Sequence, residues 1–306
     1  MTHSRISRRS FIGTAAFAGA ALAVPGLVTA AEPELFKLHY APHDGLFRAS
    51  AGQDIVKQIH FAADQGFTAW EDNGMKNRGV KTQNAIAGAL KERNMQMGVF
   101  VAADIDWNKP TLTTGDSKHR QAFLDDIRDS VEVAQRVNAT WMTVVPGFVD
   151  LRLQPEFQTA NVVENLRLAA EILEPHGLVM VLEPLNFHNH PGMWLTRVPQ
   201  AYQVCRAVNS PACKILFDIY HQQIQEGNII PNIDRAWSEI AYFQVGDNPG
   251  RKEPTTGEIN YRNVFRHIHR KGFKGVLGME HGKSQSGKAG EQALIDAYRY
   301  SDSFEI

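Results

Sequence analysis

The segment V-L-E-P-L-N (181–186) is the first of four segments in this chain that share one design. The other three are L-F-D-I-Y-H (216–221), F-Q-V-G-D (243–247) and G-M-E-H-G (278–282). In each segment an apolar run typical of a β-strand ends in an oxygen-bearing side chain, and these side chains are Glu183, Asp218, Gln244 and Glu280. They are 35, 26 and 36 residues apart, each spacing being about the length of one strand plus one helix.

Such repeated strand-and-helix units place the ends of successive strands at one edge of a parallel sheet. If the four strands are neighbours in a barrel, their side chains converge at its C-terminal mouth, where (β/α)₈ enzymes keep their chemistry. Three carboxylates and an amide oxygen suit a hard divalent cation such as Mg²⁺ or Mn²⁺. The pattern therefore predicts one divalent metal ion held by Glu183, Asp218, Gln244 and Glu280.

The chain from residue 35 onward alternates between strand-like and helical patterns. Apolar strand-like runs begin near Leu35, Phe67, Met95, Trp141, Leu178, Lys214, Ala241 and Gly275. Helical spacing between them is clearest at Phe123, Ile127, Val131 and Ala134. These units predict an α/β fold, a (β/α)₈ TIM barrel in a single domain over 32–306. An open, doubly wound sheet is the alternative, but no Gly-rich dinucleotide-binding motif follows the first strand.

The connections between these units carry two further signals. Gly66, Gly177 and Gly272 each lie between a helical pattern and the next strand, where a left-handed residue commonly ends a helix. The segment 103–115, which contains Trp107, is long and polar. We expect this segment to form a flap over the active site.

The first 31 residues predict an export signal that precedes the fold. Ser7-Arg8-Arg9-Ser10-Phe11-Ile12 is a twin-arginine motif, and an apolar Ala/Gly-rich run (11–24) follows it. No acidic residue occurs before Glu32, which argues against an ordinary amphipathic helix. The apolar run is too short for a membrane span. Neither cysteine lies near the end of this segment, so a lipid anchor is not indicated. We therefore expect no stable membrane anchor. We predict a cleaved Tat signal at 1–31, contact with the Tat export machinery and a periplasmic mature chain.

Composition narrows the class of protein further. Without the predicted signal the chain keeps 29 basic and 33 acidic residues, and this balance argues against a nucleic-acid-binding protein. Cys205 and Cys213 are the only cysteines, so the fold is no disulfide scaffold, and two buried thiols are favoured over a bridge. The sequence is compatible with a homo-oligomer as well as with a monomer.

Six strings, all of them in the second half of the chain, are characteristic of one enzyme family. They are E-P-L-N (183–186), P-G-M-W-L (191–195), K-I-L-F-D-I-Y-H (214–221), Q-E-G (225–227), Q-V-G-D-N-P-G-R-K-E-P-T-T-G-E-I-N-Y (244–261) and G-M-E-H (278–281). They closely resemble the hydroxypyruvate isomerase family, densely from about 178 to 285 and more thinly before. That family belongs to the xylose-isomerase-like TIM barrels, which include sugar isomerases, ketose 3-epimerases and AP endonuclease 2-like proteins such as endonuclease IV.

The resemblance implies roles for individual side chains. The family binds one divalent metal through a Glu, an Asp, a Gln or His, and a second Glu at the ends of strands five to eight. These ligands match Glu183, Asp218, Gln244 and Glu280, the same four residues that the spacing indicates. The two glutamates are the implied acid/base pair, since carboxylates on opposite sides of a planar enediolate can remove and return a proton. Each of the four could instead only cap the helix that follows.

Three more side chains are expected to contact the substrate. His221, three residues after Asp218, resembles a substrate ligand of the related epimerases. Arg251 lies in P-G-R on the loop after strand seven, and Glu71 ends strand two in A-W-E-D-N. The alternatives are a packed strand-end histidine, a solvated loop arginine, and a glutamate that only supports neighbouring site residues.

The sequence is compatible with three functions. The first is a metal-dependent isomerase or epimerase of a small hydroxy-carbonyl compound, acting through an enediolate. The second is a periplasmic lyase or hydrolase of keto-sugars or 3-keto-glycosides with the same metal site. The third, a non-catalytic sugar-binding barrel, gives no reason for two opposed glutamates. Export favours an unphosphorylated sugar derivative as the substrate, because hydroxypyruvate and phosphorylated sugars are cytoplasmic intermediates.

Overall fold

The computed structural model describes residues 34–305 of the chain, so the predicted signal at 1–31 lies outside the described residues. The strands are β1 (His39–Ala41), β2 (Ala69–Trp70), β3 (Gln96–Met97), β4 (Trp141–Val144), β5 (Val179–Leu182), β6 (Cys213–Asp218), β7 (Ile240–Gln244) and β8 (Val276–Gly278). The helices are α1 (Arg48–Ala51), α2 (Ile55–Asp64), α3 (Val80–Glu92), α4 (Ser117–Val137), α5 (Pro155–Leu173), α6 (Val198–Val208), α7 (Ile219–Gln225), α8 (Ile229–Ala236), α9 (Tyr261–Arg270) and α10 (Gly287–Asp302). Short 3₁₀ turns lie at Met75–Asn77, Glu174–His176 and Trp237–Glu239.

The strands form one closed parallel barrel. Six of them form a sheet of order β1-β8-β7-β6-β5-β4, and β2 pairs with β3. Parallel bridges between His43 and Glu71 and between Met97 and Ala139 join the two sheets. The predicted TIM barrel with its α/β alternation is therefore confirmed.

The interior of the barrel and the layer beneath the helices are two separate apolar regions. The interior cluster consists of Ala41, Ala69, Val99, Val181, Leu216, Tyr242 and Val276. Their immediate neighbours on the strands, such as Phe217 and Phe243, belong to the larger cluster that packs against the helices. This division follows from the period of two along a strand, which sends successive side chains to opposite faces.

Helix α4 shows how the sequence pattern builds the outer layer. Its apolar stripe, Phe123, Ile127, Val131 and Ala134, is buried. Asp116 caps the helix by accepting from the backbone N–H of Lys118, and Asn138 ends it in the left-handed conformation. Burying such a side chain is worth about 1.5–3 kcal/mol, so the stripe holds the helix against the sheet.

The connections agree in part with the sequence. Gly66, Gly177 and Gly272 have positive φ values of 88°, 65° and 78°, as expected for residues that end a helix. Helix α8 begins at Ile229 and ends at Ala236. Its first turn contains a proline, which is tolerated there because that N–H has no helical partner.

The two cysteines do not form a disulfide. Cys205 and Cys213 are buried and free. Among the helices of residues 34–305, none combines the length and the apolar character needed to cross a bilayer.

Candidate active site

The predicted site residues of β5 to β7 point into the barrel at its C-terminal end. Three members of the interior cluster are each followed two positions later by a predicted site residue: Val181 by Glu183, Leu216 by Asp218 and Tyr242 by Gln244. Residues two positions apart on a strand share a face, so all three site residues face inward. In the sheet register Asp218 pairs with Gln244, and Gln244 pairs with Gly278, two residues before Glu280.

Glu183, Asp218 and His221 form a compact buried cluster. One oxygen of each carboxylate and a ring nitrogen of His221 all lie within 4.8 Å of one another. The Nε2 atom of His221 lies 3.7 Å from Oε1 of Glu183 and 3.6 Å from Oδ2 of Asp218. The two carboxylates of this group, Glu183 and Asp218, are close enough to bind one divalent ion together.

His221 enters this cluster as a neutral hydrogen-bond donor. Its Nδ1 atom accepts from the backbone N–H of Asn186 at 3.2 Å and from Nδ2 of the same residue at 2.7 Å. Because Nδ1 accepts, the proton of the neutral ring is on Nε2, which faces Glu183 and Asp218. Burial lowers the pKa of His221 to about 4, so the ring is uncharged at neutral pH. This arrangement suits an Nε2–H contact to a substrate oxygen, and that role stays a prediction.

Asp218 uses its two carboxylate oxygens differently. Oδ1 accepts from the backbone N–H of His221 at 3.1 Å and so caps α7. Oδ2 accepts from Nη2 of Arg251 at 3.1 Å. The capping function considered for such residues is therefore real, and the second oxygen, Oδ2, faces the site and Arg251.

Arg251 lies as an internal cation between two of the predicted metal ligands. Its Nη2 atom donates to Oε2 of Glu280 at 2.8 Å as well as to Asp218, and its Nε atom donates to the backbone carbonyl of Glu280 at 3.1 Å. The guanidinium lies over the ring of Tyr220 at 4.9 Å. Burial alone would lower the pKa of Arg251, but the carboxylates of Glu280 and Asp218 raise it. The backbone φ of 50° is uncommon for a residue with a side chain, and such strain is often kept at functional sites.

Glu280 is the most accessible carboxylate of the group. Its side chain is 27% exposed, and Asn73 donates to its Oε1 atom at 3.1 Å. Burial, with a further contribution from Asp218, raises the pKa of Glu280 to about 7, although Arg251 opposes this. A carboxylate with such a pKa can take up or release a proton near neutral pH.

Glu71 is buried beneath the mouth of the barrel, more deeply than a side chain at the surface of the site. Its oxygens accept from Gln244 at 3.0 Å and from Tyr242 at 2.8 Å, and its side chain is 1% exposed. Burial, followed by the charge of Glu280, raises the pKa of Glu71. The structure thus places Glu71 against another predicted site residue, and its predicted contact with substrate stays a prediction.

The chemistry of these residues fits a divalent cation. Burial and then the nearby charges of Glu280 and Asp218 raise the pKa of Glu183, as happens when acidic groups are packed with too little positive charge. The Oε1 atom of Gln244 is buried and has no hydrogen-bond partner within the described part of the chain. Carboxylate and amide oxygens of this kind are the hard ligands that Mg²⁺ and Mn²⁺ prefer.

Aromatic side chains line the mouth beside the cluster. The rings of Trp107 and His190 lie 5.1 Å apart, and those of His190 and His221 lie 5.3 Å apart. Trp107 belongs to the segment 103–115, which follows β3 and approaches the cluster through His190. A flap function of this segment stays a prediction. A cavity of about 530 Å³ lies between this segment and α4, with Trp107, Phe123 and Asp126 in its lining, and none of the predicted site residues lines it.

Asn73 and Asn186 are site residues that the sequence analysis did not single out. Each lies just after a strand, at the end of the strings A-W-E-D-N (69–73) and V-L-E-P-L-N (181–186). That position is the signal that could have identified them, because short polar side chains there hold the carboxylates and histidines of neighbouring strands.

Comparison with known proteins identifies the family. The model of the xylose isomerase-like TIM barrel family matches residues 59–302. The chain therefore belongs to the xylose isomerase-like TIM barrel family.

Individual proteins narrow the relationship within this family. Hydroxypyruvate isomerase of Escherichia coli is 32% identical over 179 residues, which cover 58% of this chain and 69% of the relative. A 2-oxo-tetronate isomerase of Cupriavidus necator is 28% identical over 197 residues, which cover 64% and 76%. The predicted relationship to hydroxypyruvate isomerases and the predicted isomerase class of enzyme are confirmed.

A solved structure supports the same fold. The 3-keto-D-glucoside 4-epimerase of E. coli superposes with a TM-score of 0.72 at 17% identity, covering 87% of this chain and 100% of that one. At this identity the likeness concerns the fold alone.

Proposed function

We propose that this chain is a divalent-metal-dependent isomerase or epimerase that moves a proton between neighbouring carbons of a small, unphosphorylated hydroxy-carbonyl or sugar substrate through an enediolate. The observation that carries this proposal is the buried cluster of Glu183, Asp218 and His221, whose polar atoms lie within 4.8 Å of one another, beside the amide oxygen of Gln244, which has no hydrogen-bond partner among residues 34–305. The names of the relatives, isomerases of hydroxypyruvate and of 2-oxo-tetronate, support the same class of reaction.

The residues have separate tasks in this chemistry. Glu183, Asp218, Gln244 and Glu280 would hold the ion. A divalent ion supplies Lewis-acid stabilisation of negative charge on the substrate oxygens. The Glu280 carboxylate takes the proton from carbon, Glu183 returns a proton to the neighbouring carbon, and exchange with solvent restores the starting protonation of both groups. His221 donates from Nε2 to a substrate oxygen and Arg251 contacts another.

The charge around the mouth supports an uncharged substrate. A cavity of about 370 Å³ beside Glu280 is lined by Asp44, Glu71 and Asp72 as well. The one arginine of its lining, Arg78, is already paired with Asp72 and Asp44. Because no unpaired cation among the described residues lies in this lining, a phosphate would be repelled, whereas a substrate hydroxyl group can donate to the partly exposed carboxylate of Glu280.

We also propose that the reaction takes place in the periplasm, after Tat export of the folded chain. The support is the twin-arginine motif at 7–12 together with the apolar run that follows it. Free sugars and sugar derivatives reach that compartment, which agrees with an unphosphorylated substrate.

Proton NMR of products formed in D₂O tests the proposed reaction. The purified chain is incubated with free aldoses, free ketoses, 3-keto-glycosides, hydroxypyruvate and 2-oxo-tetronate. Deuterium on a carbon of an otherwise intact sugar product supports the proposal. Loss of water or of an aglycone would instead identify a lyase or hydrolase. Efficient turnover of hydroxypyruvate, with none of the free or oxidised sugars, would agree with the proposed reaction but would refute an uncharged sugar derivative as the substrate.

A further inference from the structure

A buried polar network links Glu71 to the predicted metal ligand Gln244. The Nε2 amide of Gln244 donates to Oε1 of Glu71 at 3.0 Å, and the hydroxyl of Tyr242 donates to Oε2 at 2.8 Å. All three side chains are at most 1% exposed. Tyr242 and Gln244 lie two positions apart on β7 and share a face, so one strand offers both donors to one carboxylate.

Two glycines make space for this network. A Cβ atom at Gly278 would overlap the carboxylate of Glu71, and one at Gly98 would overlap the hydroxyl of Tyr242. Neither glycine has a positive φ, so space and not backbone conformation requires glycine at these positions. The barrel interior is thus shaped to admit a carboxylate at a depth where an unpaired one would be costly.

The contact with Glu71 decides which way the amide of Gln244 is turned. Because Glu71 accepts from the nitrogen, the amide oxygen points the other way, and that oxygen has no hydrogen-bond partner among residues 34–305. Buried polar atoms normally have a partner. The opposite amide orientation would present an NH₂ group, which is a donor only and cannot bind a cation.

We propose that Glu71 is a positioning residue that selects the orientation of Gln244 in which the amide oxygen faces the cation site. This inference rests on the proposed function, because it takes Gln244 as a ligand of the ion. Glu71 then acts through Gln244 and not by touching the substrate. Partners that orient a metal ligand in this way are typically worth about 10- to 100-fold in metal affinity.

Two substitutions separate the position of the acceptor from its charge. Glu71→Gln removes the charge but keeps an oxygen within reach of Gln244. Glu71→Asp keeps the charge but withdraws the oxygens by one carbon. A third variant, Glu71→Leu, removes the acceptor altogether and gives an independent measurement if Glu71→Asp does not fold.

The probe is Mn²⁺ alone, titrated into the metal-stripped chain in competition with a chromophoric chelator. Thermal unfolding without metal shows whether each variant is folded. Glu239→Asp is the matched control, because Glu239 is another buried glutamate beside β7, 4% exposed and paired with Arg206 and Lys214 at the far end of the strand.

We expect Glu71→Asp and Glu71→Leu to weaken Mn²⁺ binding by about 10- to 100-fold. Glu71→Gln and Glu239→Asp should bind Mn²⁺ like the unsubstituted chain. The reverse order, with Glu71→Gln impaired and Glu71→Asp unaffected, would overturn the proposal, because charge and not orientation would then matter. Equal affinities in all folded variants would also overturn it. Absence of Mn²⁺ binding by the unsubstituted chain is a different result, since it would refute the proposed function itself.

Discussion

Glu280 combines two properties that one substitution separates, an oxygen that faces the predicted cation site and a carboxylate that can take up a proton. Glu280→Gln keeps the first and removes the second. We expect kcat to fall by about 10²- to 10⁴-fold, the usual contribution of a positioned general base, while Mn²⁺ is still bound. Steady-state kinetics and metal analysis check this, with Glu258→Gln on the neighbouring exposed loop as control. Near-normal turnover of Glu280→Gln would remove this residue from the acid/base pair.

His281, next to Glu280, predicts a loss of stability in mild acid. Its Nδ1 donates to the carbonyl of Gly282 at 2.8 Å, and its Nε2 accepts from Tyr298 at 2.8 Å, so the buried ring is neutral. Burial lowers its pKa to about 3, against about 6.5 when unfolded. The unfolded chain therefore binds a proton first as pH falls below 6.5, and the folded state loses stability.

The low pKa of His281 in the folded chain should lower the free energy of unfolding by about 2 kcal/mol as the pH falls from 7 to 5. Urea unfolding of the unsubstituted chain and of His281→Gln at both pH values measures it. The variant is expected to be less stable at pH 7, because it loses both contacts, but to depend less on pH by that amount. Identical pH dependence of the two proteins would show that the ring is not held neutral.

For individual residues, the sequence predicts which side chains lie at the ends of strands. It does not predict which residues from distant parts of the chain contact them. Glu183, Asp218 and Gln244 could be predicted because a period of two and a regular spacing decide where they point. The contact of Asn73 with Glu280 joins residues 207 positions apart, and no local pattern records it. The position of Arg251 between two carboxylates likewise depends on loop conformation, which side-chain spacing does not determine.

Among the elements, the segment 103–115 after β3 carries a prediction about substrate binding. Trp107 extends from it to pack against His190, although its side chain remains 44% exposed. We expect Trp107→Ala to raise KM more than it lowers kcat, reducing kcat/KM by about 2- to 10-fold, since an aromatic pair is worth about 0.5–1.5 kcal/mol. Leu151→Ala on the next loop is the control, because Leu151 is 89% exposed. An unchanged KM in Trp107→Ala would mean that the segment is not a flap.

Most helices and strands could be predicted from the sequence, whereas helix α7 could not. The long helices follow from their apolar stripes, as in α4, and the barrel strands follow from apolar runs. Helix α7 was not predicted, since Ile219 to Gln225 directly continues the strand-like string that ends in Asp218. The helix begins there because the Asp218 carboxylate accepts the N–H of His221, a capping contact within what reads as a strand end.

For the whole molecule, the export prediction can be tested apart from the chemistry. A fusion of residues 1–31 to a folded reporter should reach the periplasm, whereas the same fusion with Arg8→Lys and Arg9→Lys should remain in the cytoplasm. Fractionation of cells measures both. Cytoplasmic retention of the unsubstituted fusion would refute the proposed location and would leave the active-site proposal unaffected.

Deuterium exchange with and without metal is the most direct measurement on the whole enzyme. The chain is stripped with a chelator, reloaded stepwise with Mn²⁺, and incubated with a free ketose or keto-sugar substrate in D₂O. We expect deuterium to enter the substrate carbon in proportion to bound Mn²⁺, up to about one ion per chain, because residues 34–305 contain one group of carboxylate and histidine side chains compact enough to hold an ion. Equal incorporation by the metal-free chain would contradict the proposed metal-dependent proton transfer.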